Sequence, residues 1–318
     1  MTGQRTPDPK VSFELPEGTY RSPLEEGYQP AWRDATLLDC SLVLEGGAMR
    51  GQFTAGVLDY LMDEGALPRR AVGVSAGALN GFNYRAGMRG RTIHLNTRYC
   101  TNWRYFSMRS YALTGSAFNA KFVFEKIPQK LEPFDYDGFA ASPLELITVS
   151  SDLVSGEADY FNLKDARTEL DYLRASSSMP LLSRIVEVDN KKLLDGGICD
   201  SVPLDYAISQ GARKHIVVLT QHDGYSKPDY KLMPLVRRVY KDYPYFIERF
   251  EHRSYEYNRS YRRVKRMKDA GEIFVLMPPS PVQVESMEHD PKKLYHLYLL
   301  GYEQARRNWK ALQMYLDA

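Results

Sequence analysis

Ala71-Val72-Gly73-Val74-Ser75-Ala76-Gly77 runs from an apolar stretch into a turn of small residues, and a helical segment follows to about Ala86. A short apolar run that ends this way reads as a buried strand. Gly73 to Gly77 matches G-x-S-x-G between strand and helix. A nucleophilic serine needs its hydroxyl held at the tip of such a tight turn, and flanking glycines avoid the clashes that side chains would make there. The helix N-terminus behind Ser75 adds positive dipole and free N–H groups where an anion would develop. The bland alternative is an ordinary small-residue turn with close strand–helix packing. The strand and helix on its two sides favour a nucleophile.

Outward from this turn, strands and helices alternate. Ser41-Leu42-Val43-Leu44 reads as a strand ending at Gly46-Gly47, and Phe53, Val57, Leu58, Leu61 and Met62 follow a helical period that Gly65 closes. Leu146 to Val149 and Ile216 to Thr220 are further buried strands. Ile185 to Val188 and Lys191 to Leu194 flank Asp189-Asn190, the pattern of a hairpin with a two-residue turn. Pro203 can open a helix that Gly211 closes. Glu272 to Met277 is one more strand, and residues 291–317 read as a terminal helix. This alternation predicts an α/β fold of three layers, α/β/α, around a mainly parallel sheet. Three stretches are expected: an extended lead-in at 1–36, a core at 37–225, and an aromatic-rich elaboration at 226–318 on the same domain.

Composition bounds the function. The 318 residues are 43% hydrophobic and 26% charged, ordinary for a globular protein. Lys+Arg is 42 and Asp+Glu is 40, so a formal net charge of +2 gives no reason to expect nucleic acid as a partner. No apolar run approaches the ~20 residues that span a bilayer, and the opening residues have no signal-peptide core. Cys40, Cys100 and Cys199 are sparse, without C-x-x-C spacing, which argues against a disulfide framework or structural zinc. Reduced thiols in a cytoplasmic protein are the plainest reading.

Two further loops can carry chemistry. Gly46-Gly47-Ala48-Met49-Arg50-Gly51 lies between strand and helix, and its backbone N–H groups can cradle an anion. A P-loop would need Lys and Ser/Thr where Gln52-Phe53 stand, and a dinucleotide fingerprint would need glycine where Ala48 stands. An oxyanion hole is the third reading, and the loop by itself leaves the choice open. Asp195-Gly196-Gly197 follows the apolar Leu193-Leu194. Alone it reads first as a turn, second as a carboxylate with room for another backbone beside it.

Together, GGAMRG, GVSAG and DGG resemble the patatin-like phospholipases, in which a G-G-G-x-R/K-G loop, a G-x-S-x-G serine and a D-G-G or D-G-A aspartate occur in this order. Ile147 to Asp152 with Gly156-Glu157, and Ala175 to Pro180, look like two more of that family's segments, so the resemblance covers residues 37–225. It is nearest to bacterial cytoplasmic members with an aromatic-rich C-terminal extension. The departure is Ala48 in place of the third glycine; its N–H remains, which predicts a geometric adjustment and not loss of the hole. The resemblance implies a patatin-like fold and a Ser-Asp dyad without histidine. Ser75 would attack an ester carbonyl, Asp195 would take its proton, and N–H groups around Gly46, Gly47 and Arg50 would hold the oxyanion. Lipid or acyl-ester substrates are implied, with no metal and no organic cofactor. A carboxylate of ordinary pKa, about 3.9, is a poor base for serine, so the scheme expects burial to raise it.

Three other readings compete. A Ser-His-Asp triad would draw on His215, His222, His252, His289 or His296, but none lies in a recognisable motif, and each reads as a surface or satisfied core histidine. A non-catalytic module would use the glycine loop to hold phosphate or lipid. The stretch from Tyr240 to Lys268, including Arg259, Arg262, Arg263, Lys265, Arg266 and Lys268, suits either peripheral membrane contact or a helix with aromatics in the core and charges in solvent. Asp135 and Asp137 read as turn residues, Cys199 as a buried small residue, and Trp103-Arg104-Tyr105 as a lid or acyl-channel lining.

Overall fold

The computed structural model of the chain describes residues 13–318. Pro7 and Pro9 of the lead-in lie outside the described residues. Residues 13–35 form turns, tied down where Ala31 N donates to Gly87 O at 2.9 Å and Arg89 donates to Thr19 O at 2.8 Å.

The strands are β1 (Thr36–Leu44), β2 (Ala66–Val74), β3 (Glu145–Asp152), β4 (Ala158–Asn162), β5 (Val186–Val188), β6 (Lys191–Asp195), β7 (Lys214–Val218) and β8 (Phe274–Leu276). They make one sheet in the order β5-β6-β3-β2-β1-β7-β8, with β4 also paired to β3. The run from β3 through β8 is parallel, while β4, β5 and β6 are antiparallel. The helices are α1 (Gln52–Asp63), α2 (Ala76–Arg85), α3 (Arg91–Tyr99), α4 (Met108–Thr114), α5 (Tyr136–Ala141) and α6 (Leu170–Ser176). They continue as α7 (Leu204–Ser209), α8 (Met233–Val239), α9 (Pro244–Glu251), α10 (Arg253–Asp269) and α11 (Pro291–Asp317). A π-helical segment, Lys121–Leu131, lies between α4 and α5.

Successive side chains of a strand point to opposite faces, and β1 separates its residues accordingly. Leu42 and Leu44 join the core with Phe53 and Val57 of α1, Ala78 of α2 and Leu294 of α11. Val43 joins the opposite core with Leu204 and Ala207 of α7 and Tyr257, Tyr261 and Val264 of α10. The sheet therefore has helices on both sides, which is why its central strands read as unbroken apolar runs.

The expected hairpin is present: Val188 pairs with Lys191, and Asp189 and Asn190 take φ of +47° and +62°, the left-handed pair of a type I′ turn. β7 stops at Val218, earlier than the apolar run suggests, because Thr220 turns away to bond Glu45. The aromatic-rich region folds as α8, α9 and α10. Tyr240, Phe246, Phe250, Tyr257 and Tyr261 are buried, while Tyr245 and Tyr255 are exposed.

Candidate active site

The register of β3 brings the serine and the aspartate together. Val74 at the end of β2 pairs with Val149, and the next residue of β3, Ser150, pairs with Asp195 at the end of β6. β6 thus continues along β3 where β2 leaves it, and Ser75 emerges beside Asp195. Ser75 caps α2 with φ +53° and ψ −120°, a strained backbone for a residue with a Cβ. Its N–H is fixed by Ser176 Oγ at 3.0 Å, and that hydroxyl donates in turn to Val149 O at 2.6 Å. Gly73 pairs with Leu44 and Thr148 in the sheet. A Cβ on Gly77 would overlap the carbonyl oxygen of Leu44, so α2 can approach β1 only with glycine there.

Asp195 is 6% exposed. Its carboxylate accepts the Gly197 N–H at 2.8 Å, and its backbone is held by Ser178 O and Ser151 Oγ. Gly196 follows in a tight turn against Val149. Burial pushes the Asp195 carboxyl above the usual carboxylate range; the facing Ser75 hydroxyl, the Gly197 N–H and the charges of Arg253 and Lys227 oppose that rise without cancelling it. No hydrogen bond of ordinary geometry joins the Ser75 and Asp195 side chains, a looseness common in unliganded sites.

The glycine loop lies against the serine: a Cβ on Gly46 would sit 3.2 Å from Ser75 Cβ, and one on Gly51 2.8 Å from Ala76 Cβ. Among the described residues the N–H groups of Gly46 and Gly47 have no acceptor. Arg50 corrects the expectation from sequence, because its N–H is already given to Gly47 O at 3.0 Å as the loop winds into a helical turn. What Arg50 offers is its guanidinium, whose Nε is buried without a partner. Ala48 adopts φ +47°, so the alanine takes the left-handed conformation that suits glycine and carries the strain itself.

A cavity with about 1130 Å³ of empty space, part of it open to solvent, runs from Ser75, Ala48 and Gly51 between α2, α3 and the π-helical segment. Leu79, Leu95, Phe106, Phe118, Ile127 and Leu173 are among its apolar lining. Phe106 and Phe118 stack at 4.2 Å. Tyr105 lines the cavity; Trp103 does not, and stands between the guanidinium groups of Arg104 and Arg109. No histidine lines it, and His215 is bonded to Ser41 on the strands beneath. Asp135 caps α5 and Asp137 pairs with Arg167. Among the described residues no group of three or more His, Cys, Asp or Glu is placed to hold a metal, and no helix is long and apolar enough to cross a membrane.

The sequence reading did not single out the polar side of the site. Glu45, 1% exposed, accepts from Tyr257 and Tyr261 hydroxyls, the latter at 2.7 Å, and from Thr220 N at 2.6 Å. Arg253 Nε donates to Gly197 O at 2.6 Å, and Lys227 Nζ lies 4.0 Å from the Tyr257 ring centroid. The legible signal was spacing: Arg253, Tyr257 and Tyr261 recur every four residues and share one helix face.

The model of the patatin-like phospholipase family matches residues 42–208, and that of a domain of unknown function, DUF6363, matches residues 243–317. The uncharacterized protein YjjU of Escherichia coli (strain K12) is 30% identical over 241 residues, 66% of this chain and 64% of that protein. The match therefore spans less than two thirds of that relative. The crystal structure of VipD from Legionella pneumophila aligns with a TM-score of 0.43 at 11% identity, over 87% of this chain and 66% of that one. With the family match covering more than half of its length, this chain belongs to the patatin-like phospholipase family.

Proposed function

We propose that the chain is a serine hydrolase of lipid acyl esters working through a Ser75–Asp195 dyad, of phospholipase A, lysophospholipase or esterase type. The observation that carries this is the strained Ser75, set between a buried carboxyl of raised pKa and a long apolar cavity. The Ser75 oxygen attacks the ester carbonyl while its proton passes to the Asp195 carboxylate. The carbonyl electron pair becomes an oxyanion facing the free N–H groups of Gly46 and Gly47, where preorganised donors act most strongly. Collapse expels the alcohol, which takes the proton from Asp195 and leaves an acyl-enzyme. Water then attacks that ester, Asp195 accepts its proton, and the fatty acid departs as the proton returns to Ser75. Family membership supports lipid acyl hydrolysis in general; the apolar cavity supports an acyl chain as the group bound.

Intact mass after treatment with a fluorophosphonate tests this. One adduct on wild type, absent in Ser75→Ala and formed much more slowly in Asp195→Ala, is expected. No adduct on folded wild type would overturn the dyad and leave a binding module as the better account.

A further inference from the structure

Two cationic side chains, Arg253 and Lys227, stand close to Asp195, Arg50 stands close to Lys227 with one guanidinium nitrogen on Ser286 Oγ at 3.2 Å, and none of the three lines the apolar cavity. The missing Cβ of Gly197 marks the spot: it would lie 3.0 Å from Asp195 Oδ1 and 3.5 Å from Arg253 Nη2. Arg253 spends only its Nε, on Gly197 O. Lys227 is held by paired bonds between its backbone and the Asn258 side chain, and its ammonium rests on Tyr257 one turn beyond Arg253. Tyr257 in turn is bonded to Glu45, next to the glycine loop that carries Arg50. Among the described residues none of the three forms an ion pair. The nearby carboxylates are engaged: Glu45 by two tyrosines and Thr220, Asp195 by Gly197, and Asp229 by Ser254.

Free donors on half-buried cations that feel Asp195 and Glu45 but form no ion pair with either leave room for an anion. We propose that Arg50, Lys227 and Arg253 form a subsite for a net-anionic alcohol moiety of the substrate, bearing a phosphate or comparable oxyanion, and turn away esters whose alcohol carries a quaternary ammonium. This rests on the hydrolase reading, since it assigns the alcohol side of the ester to the cationic wall. Lys227 and Arg253 both lie beyond residues 42–208, so two of the three cations belong to the C-terminal segment and only Arg50 to the matched core. The mutual repulsion agrees: burial, Arg253 and Arg50 bring Lys227 down to about 7, and a bound anion restores its charge. Selectivity arises from repulsion of the wrong head group as much as from attraction of the right one.

The test uses soluble esters of one acyl chain, 1-octanoylglycerol 3-phosphate, 1-octanoylglycerol and 1-octanoylglycerophosphocholine, below their micelle concentrations. The phosphate ester is expected to have the highest kcat/KM and the choline ester the lowest. Lys227→Gln and Arg253→Gln should each lower the phosphate-to-choline ratio about tenfold, the worth of one charged hydrogen bond, with Arg253→Lys retaining most of it. A wild-type ratio near one, or a ratio unmoved in the Lys227 variant, overturns the subsite and leaves the hydrolase reading intact. Calorimetry on Ser75→Ala separates the two in the other direction. Binding of glycerol 3-phosphate but not glycerophosphocholine, lost in Ser75→Ala/Lys227→Gln, supports the subsite even if no ester is turned over; equal binding of both, or none, overturns it.

Discussion

The two walls that meet at Ser75 are built from opposite materials by different parts of the chain. The wall beyond α2 comes from residues 79–134 and from α6, and is mostly carbon. The wall on the Asp195 side draws Lys227, Arg253, Tyr257 and Tyr261 from residues after 220, and meets Glu45 and Arg50 at the glycine loop. An apolar wall is stable whether or not it is occupied, because closing it removes carbon from water. The cationic wall holds desolvated charge that is fully compensated only when a ligand arrives. The first wall is suited to the part of a substrate that varies in length, and the second to a part defined by charge.

The largest expected effect falls where the walls meet. Asp195→Asn should lower kcat by about 10³-fold or more, as loss of a proton acceptor does in comparable hydrolases. In the wild type the acid limb of kcat/KM should lie above the ordinary carboxylate range, because the Asp195 carboxyl is raised. Activity needs the ionised form, so it is lost as pH falls through that value. Lys227→Gln removes one influence that holds the value down and should move the limb further up. A limb at the ordinary carboxylate position would break the assignment. The cavity can be narrowed separately. Leu95→Trp should cost long acyl chains about ten- to hundredfold in kcat/KM, a few methylenes' worth, while the phosphate-to-choline ratio stays put; a change in that ratio would mean the walls are not independent. The smallest effect concerns the loop between them. Ala48→Gly should raise unfolding stability by about 0.5–1 kcal/mol in chemical denaturation, since an alanine at φ +47° is strained. No gain would mean that the strain is offset by alanine's lower unfolded-state entropy.

The sheet was largely legible because β1, β2, β3 and β7 are buried on both faces and so write unbroken apolar runs. β4 was not recognised: Ala158–Asn162 is half-buried throughout and shows no alternation. The three glycine motifs mark strand ends, and their residues do lie together, but what joins Ser75 to Asp195 is an antiparallel strand continuing where a parallel one stops, which no local pattern records. The carbon wall was hidden for a different reason. It is assembled from scattered segments, one of them a π-helix with Pro128 inside, which from sequence looks like a break. Arg253 and Lys227 were lost among many surface cations. The stripe of tyrosines was visible, yet its partner Glu45 was masked as the ordinary end of a strand.

Helices α1 and α11 cross where a Cβ on Gly56 would overlap the Tyr298 carbonyl and one on Gly301 the Phe53 carbonyl. In genetic terms, the two matched stretches are not separable alleles of function. A stop codon just after position 225 would keep every residue of GGAMRG, GVSAG and DGG, yet leave α1 with a bare backbone groove and Glu45 with no tyrosines. A missense change at Gly56 or Gly301 should have the phenotype of a lost active site, although neither residue belongs to GGAMRG, GVSAG or DGG.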